Sequence, residues 1–178
     1  MILLSKASPN DVLVLTTLAR DIYKEHYLHL WHPGGAEWYM NVYAYANDKI
    51  EDELRDPNIE YFIVFDEGVA SGYMKLLMNA QLTGYENSKA LEVERIYLFK
   101  KAMGKGIGGQ LMQLAMEKAK ALKKEIIFLK AMDSSNEAIG FYKKLGYSTC
   151  GNVQLPVPAF LLMKAEYRGM LIMKIELL

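Results

Sequence analysis

One segment constrains this chain more than any other: a β-rich run, Leu91 to Phe99, leads into Met103-Gly104-Lys105-Gly106-Ile107-Gly108-Gly109 and then into a helical pattern. A strand, a glycine loop and a helix in that order aim several successive backbone N–H groups and a helix N-terminus at one spot, and that spot favours an anion. Glycines suit it because a side chain would hold a diphosphate away from the main chain, and because turns of this kind use positive φ. A run that only makes a tight turn is the plainest alternative. Gly104, Gly106 and Gly109 also satisfy the G-x-G-x-x-G of dinucleotide folds, but the acid that should close the next strand is misplaced, since Glu125 precedes the run Ile126 to Leu129. A Walker loop fails because no G-K-[ST] follows.

The flanking patterns give an element order. Ile2 to Lys6 reads as a first strand. Ser8-Pro9-Asn10-Asp11 then opens an amphipathic helix through Val12, Leu15, Leu18, Ala19, Ile22 and Tyr23 towards Leu30, before Pro33-Gly34-Gly35 breaks it. Residues 36–55 read as two short helices, and Tyr61 to Phe65 with Val69 to Met78 as a hairpin about Asp66-Glu67-Gly68. After the glycines, Leu111, Leu114, Ala115, Ala119 and Leu122 form a buried stripe opposite Glu117, Lys120, Lys123 and Lys124. Ile126 to Leu129 is apolar throughout, as a strand covered on both faces would be. Ser134 to Glu137 reads as a capping box opening a helix that ends at Leu145-Gly146, and strands near Tyr147 to Val153 and Gly169 to Glu176 finish the sheet. The order β α α β β β α β α β β predicts one mixed α/β domain over residues 1–178.

Composition narrows the function. The 21 basic and 21 acidic residues cancel, which removes the field expected of a nucleic-acid or anionic-membrane binder and favours a small ligand. Cys150 is the single cysteine, so an internal disulfide and a thiolate metal cluster are excluded, and a reducing, cytoplasmic setting is expected. No window approaches the roughly 18 apolar residues of a membrane span.

Leu91 to Tyr147 resembles the GNAT superfamily of N-acetyltransferases. Its cofactor loop, [QR]-x-x-G-x-[GA], is met in the glycine run with Met103 where the family has Gln or Arg. Its later helix motif, A-I-x-F-Y-x-K-x-G-[FY], is met by Ala138-Ile139-Gly140-Phe141-Tyr142-Lys143-Lys144-Leu145-Gly146-Tyr147. Leu91-Glu92-Val93-Glu94-Arg95-Ile96-Tyr97 looks most like the bacterial spermidine/spermine acetyltransferase branch. The resemblance implies a mostly antiparallel central sheet of six to seven strands flanked by about four helices, with acetyl-CoA as cosubstrate and no metal. It implies that backbone groups of Ile96, Tyr97 and Leu98 pair with the pantetheine arm, and that Met103, Gly104, Lys105, Gly106, Ile107, Gly108 and Gly109 hold the diphosphate. Ser135 stands where the family usually has an asparagine touching the cofactor arm.

Amine acetylation needs an unprotonated nitrogen, a polarised thioester carbonyl and a proton for the leaving thiolate. Simple alternation puts Glu92, Glu94 and Ile96 on one face of the strand and Val93, Arg95 and Tyr97 on the other. Glu94, mid-strand, fits a base or an attractor of the cationic amine. Tyr142, at the family's acid position, is the expected proton donor to the thiolate, against the alternative of a core tyrosine among 12. Lys100, Lys101, Lys105, Lys143 and Lys144 are candidate phosphate partners or solvated surface. His26, His29 and His32 share a spacing that invites a metal, without carboxylates to complete a ligand set. Trp31, Trp38, Tyr39, Tyr43 and Tyr45 are candidate walls of an amine pocket by cation–π contact, or helix packing. The acceptor is expected to be a small-molecule, polyamine-like or peptide amine. Protein N-terminal or lysine acceptors are a further reading, as is a non-catalytic acyl-CoA sensor suggested by Met103 and Ser135. Either sheet edge, especially Gly169 to Glu176, is a candidate for pairing two copies into a homodimer.

Overall fold

The Asp66-Glu67-Gly68 signal folds into a two-residue turn with positive φ at Glu67 (52°) and Gly68 (79°), the geometry that keeps two twisted strands in register. It joins β2 (Ile59–Asp66) to β3 (Val69–Ala80). In this computed structural model, which describes residues 1–177, that hairpin belongs to a seven-stranded sheet ordered β1-β2-β3-β4-β5-β7-β6. Its other strands are β1 (Ile2–Lys6), β4 (Ala90–Leu98), β5 (Ile126–Met132), β6 (Ser148–Gln154) and β7 (Gly169–Glu176). Every pairing is antiparallel except β4 with β5. That parallel pair is joined through α4 (Ile107–Ala121), the crossover a parallel connection requires.

Helices cover both faces. On one side α4 and α5 (Asn136–Lys144) bury Leu111, Ala115 and Ala119 against Met74, Leu76, Leu91, Val93 and Ile127. On the other lie α1 (Val12–Tyr27), α2 (Gly35–Trp38), a π-helical stretch Tyr39–Ala44 and α3 (Asn47–Arg55). They pack Leu15, Ile22, Tyr45 and Ile50 on Tyr61, Ile63 and Tyr73. Among the described residues no helix is long and apolar enough to cross a membrane.

Four expectations are corrected. Simple alternation along β4 fails, because Lys75 pairs with Arg95 and the next residue, Leu76, pairs with Val93, so Glu94 is an extra residue with no partner on β3. This bulge shifts the pleat by one. Leu91, Val93, Ile96 and Leu98 therefore face α4, while Glu92, Glu94, Arg95 and Tyr97 line the opposite side. Secondly, Leu122 is 48% exposed instead of closing the α4 stripe, because the helix ends at Ala121 and the chain turns through a left-handed Lys123. Thirdly, α5 opens without the Ser134 capping box. A turn in which the Ser135 N–H donates to the Met132 carbonyl at 3.0 Å makes Ser135 the N-cap, with no side-chain cap bond. Fourthly, β7 is not an edge, since β6 adds outside it and leaves β1 and β6 as the edges.

Candidate active site

β4 and β5 pair only from Ala90↔Ile126 to Val93↔Leu129. Beyond Val93, β4 stays with β3 as far as Leu98, while β5 follows β7 to Met132, so the sheet opens into a fork. The bulge at Glu94 sits where the fork starts. On the β5 side, Ile96, Tyr97 and Leu98 present main chain that no strand covers, which is what a linear amide-bearing arm could pair with. Part of that edge is already taken: His26 Nε2 lies 2.9 Å from the Leu98 carbonyl oxygen. Beside it the Glu25 carboxylate accepts from the Lys100 N–H at 2.8 Å, so the end of α1 fastens the strand to the glycine loop.

In the loop, Gly104 (φ 75°) and Gly106 (φ 76°) are left-handed, and Gly106 is the N-cap of α4. A Cβ at Gly104, Gly106 or Gly109 would project into open space, so what these positions leave free is an approach to the main chain. The N–H groups of Gly104, Lys105 and Gly106 donate to no acceptor among the described residues. With the first amides of α4 they make a donor set that fits a diphosphate. Ile107 is buried and anchors the loop, while Gly108 lets α4 approach the Phe141 ring, 3.2 Å from where a Cβ would stand. Met103 is 49% exposed. The Lys105 ammonium is committed to Asp66 of β2 at 2.6 Å, so its side chain ties the loop to the hairpin while its amide stays free.

On the far side of the fork lies a cleft of about 480 Å³. Tyr23, Tyr27, Trp31, Tyr39, Tyr43 and Phe160 form its aromatic wall, Ser135 at the N-cap of α5 and Ala138 within it the rim, and Glu92, Glu94, Arg95 and Tyr97 its floor. Two other members of the sequence's aromatic cluster stand behind this wall: Tyr45 is fully buried, and Trp38 stacks edge-on against Trp31 and Phe160. The Trp31 indole N–H donates to the Tyr23 hydroxyl at 2.8 Å, which leaves that hydroxyl's own proton free.

The acids of the floor are paired. Glu92 meets Lys130 of β5 at 2.8 Å. Lys75, almost fully buried, lies 2.9 Å from Glu53 of α3 and 2.5 Å from Glu94. The second contact is an ion pair without hydrogen-bond alignment, since that Glu94 oxygen has no hydrogen-bond partner among the described residues. Burial pushes the Glu94 carboxyl up, but Arg95, Lys75 and Lys49 together outweigh it and hold the group below the ordinary carboxylate range. Tyr142 is buried beside Phe141 and Tyr147, and burial followed by the neighbouring Tyr27 and Tyr147 raises its phenol well above 10. Its hydroxyl makes no hydrogen bond among the described residues.

The three histidines go separate ways: His26 to the Leu98 carbonyl, His29 to the Tyr167 ring, and His32 to the surface. Among the described residues no group of three or more His, Cys, Asp or Glu side chains could hold a metal ion. Sequence reasoning missed Lys75, Lys130 and the strand-clamping role of His26. Lys75 did leave a signal, a lone cation in the apolar run Gly72-Tyr73-Met74-Lys75-Leu76-Leu77-Met78, which a buried strand admits only with carboxylate partners.

Comparison with known proteins agrees with this geometry. The solved structures it resembles include the PaiA N-acetyltransferase of Thermoplasma acidophilum in complex with coenzyme A, with a TM-score of 0.76 and 19% identity over 99% of both chains. A variant of the spermidine N-acetyltransferase SpeG of Vibrio cholerae has a TM-score of 0.68 and 18% identity over 98% of this chain and 93% of that one. The ribosomal-protein-alanine N-acetyltransferase of Brucella melitensis has a TM-score of 0.66 and 20% identity over 98% and 99%. At these identities the likeness is one of fold. A curated relative, an uncharacterised N-acetyltransferase of Lactobacillus delbrueckii subsp. lactis, is 30% identical over 99 residues. That match spans 56% of this chain and 57% of the relative, little more than half of its length. The model of the acetyltransferase (GNAT) family matches residues 20–147, from within α1 through the fork and glycine loop to the end of the tyrosine helix, and the chain belongs to that family.

Proposed function

We propose that this protein transfers the acetyl group of acetyl-CoA to the primary amine of a small molecule or peptide by direct attack on the thioester. The observation that carries the reading is the fork. Its glycine-loop side offers unpaired amides to a diphosphate, its strand edge offers main chain to a pantetheine arm, and its other side is an aromatic cleft with acids on the floor. The structure resembled with coenzyme A bound supports the cosubstrate, and the resemblance of the Leu91–Tyr97 segment to spermidine/spermine acetyltransferases makes polyamines one class of acceptor to test.

In this reading the amine nitrogen attacks the carbonyl carbon, a C–N bond forms, and the C–S bond breaks to release coenzyme A as its thiolate. The uncovered β4 edge beyond Val93 supplies main chain for the developing oxyanion. Glu94 is held acidic by its cationic neighbours, so it attracts and orients the acceptor while water removes the proton; a carboxylate far below the ammonium pKa of about 10 is a weak base. Tyr142 donates a hydrogen bond to the departing sulfur. Full proton transfer from a phenol whose pKa burial has raised to a thiolate near 8.5 is uphill, so the donor stabilises charge and solvent supplies the proton. Ser135 at the cleft rim adds a hydroxyl within reach of the cofactor arm.

The test has two parts. Acetyl-CoA at about 100 times its Kd should stabilise the protein by about 2.7 kcal/mol in a thermal-shift measurement. An amine panel should then stimulate release of free thiol. Stabilisation with no amine-stimulated release would replace transfer with a sensing role, and no stabilisation would remove the cofactor reading.

A further inference from the structure

The charged side chains lining the floor of the cleft balance, Glu92 and Glu94 against Lys130 and Arg95, and among the described residues Arg95 is the one of these that makes no direct salt bridge. Behind the floor, the buried Lys75 and Glu53 of α3 add one further cation and one further carboxylate. Lys130 takes Glu92, and Lys75 takes both Glu53 and Glu94. Among the described residues Arg95 meets no carboxylate within salt-bridge distance, and its charge acts on Glu94 only from farther off. Only 8% exposed, it lies with its guanidinium 5.1 Å from the Tyr45 ring and donates one long bond, 3.5 Å, to the Ala44 carbonyl. A guanidinium carries five N–H donors in a planar fork, so most of this buried cation's hydrogen-bonding capacity is unspent, and the side chain lines the cleft. The phenols of Tyr27, Tyr39 and Tyr97 line the same space and supply further donors. A buried arginine with most of its donors unspent, facing a cleft rich in phenol hydroxyls, suits an anion.

We propose that the acceptor carries a carboxylate as well as its amine, and that Arg95 binds that carboxylate while the amine is acetylated: an amino acid or short peptide with a free C-terminus, not a polyamine. This deepens the proposed transfer reaction and rests on it. A zwitterion leaves the neutral floor neutral. A polyamine would bring two or more positive charges to a floor whose carboxylates already have cationic partners, and would leave Arg95 facing like charge. The bulge at Glu94 is what makes the arrangement possible, because without the extra residue Arg95 would share the face of Val93.

The experiment compares thiol release by the wild-type protein with matched acceptors: amino acids and dipeptides as free acids, the same compounds as C-terminal amides, and spermidine. The free acids should exceed their amides by about 10- to 100-fold in kcat/KM, the range for a charge-assisted hydrogen-bond pair. In Arg95→Gln that preference should fall to about threefold or less, mainly through KM for the acid, with coenzyme A stabilisation retained as the sign that the variant is folded. Equal use of acid and amide, or spermidine as the best acceptor, overturns the carboxylate site while leaving acetyl transfer in place. No amine-stimulated release with any of these acceptors removes both. Should Arg95→Gln fail to fold, the acid-to-amide ratio of the wild type decides alone.

Discussion

At the scale of single residues, the tyrosine and glutamate picked out by sequence differ in how their surroundings equip them. Tyr142 is buried, with a hydroxyl that has no hydrogen-bond partner among the described residues. If it serves the leaving thiolate, Tyr142→Phe lowers kcat by about 100-fold with KM for acetyl-CoA little changed. The same substitution leaves the melting temperature equal or slightly higher, since no intramolecular hydrogen bond is lost. A core tyrosine would give unchanged kcat, so steady-state kinetics beside a melting curve separates the two roles. Glu94 is bound to a buried lysine that also holds Glu53. Lys75→Met therefore removes the direct salt-bridge partner of two part-buried carboxylates, leaving Glu94 only the longer-range Arg95 and Lys49, and should destabilise the protein by about 3 kcal/mol, measurable by urea titration.

At the scale of elements, the strand–loop–helix was legible because its chemistry is local. Gly104 and Gly106 are left-handed, as a tight approach to α4 demands, and the Ala138 to Tyr147 motif became α5 with its Gly146 end. The β4 face assignment was not legible. Alternation assumes unbroken pairing, and a bulge depends on how β3 and β4 register across space. Two glycine substitutions should expose this difference between local and tertiary demand. Gly106→Ala meets no neighbour and should cost about 1–2 kcal/mol from its left-handed backbone alone. Gly72→Ala puts a methyl group 2.7 Å from the Tyr97 carbonyl and 2.2 Å from a Leu98 methyl, so it should cost about 1–3 kcal/mol and also disturb the β4 segment lining the fork. Denaturation midpoints report the stabilities. The Gly72 variant should additionally weaken coenzyme A stabilisation, which a purely remote defect would not do.

At the scale of the whole molecule, the half that holds the aromatic cleft is built around buried phenols, and this sets how stability depends on pH. Burial raises Tyr23, Tyr45, Tyr61, Tyr73 and Tyr97 above their ordinary value, and Tyr27 to about 12. The unfolded chain releases these protons near pH 10 while the folded chain keeps them, so stability is full below about pH 10 and falls as pH rises beyond it. Glu94 and Glu60 behave in the opposite sense. Burial raises each, their lysine or arginine neighbours outweigh it, and their stabilisation is lost as pH falls through and below about 4.3. Urea midpoints between pH 3 and 11 should therefore form a plateau with both shoulders, and a flat alkaline side would contradict the buried phenol cluster. The sequence by itself determined the element order, the left-handed glycine loop before α4 and the family, because each is written in residues close together along the chain. Only the tertiary structure decided that β4 and β5 part beyond Val93, that a bulge turns Glu94 and Arg95 to the same face, and that Lys75 joins α3 to the cleft. Those features arise from contacts between segments distant in sequence, where register and burial, not local propensity, choose which charge faces which.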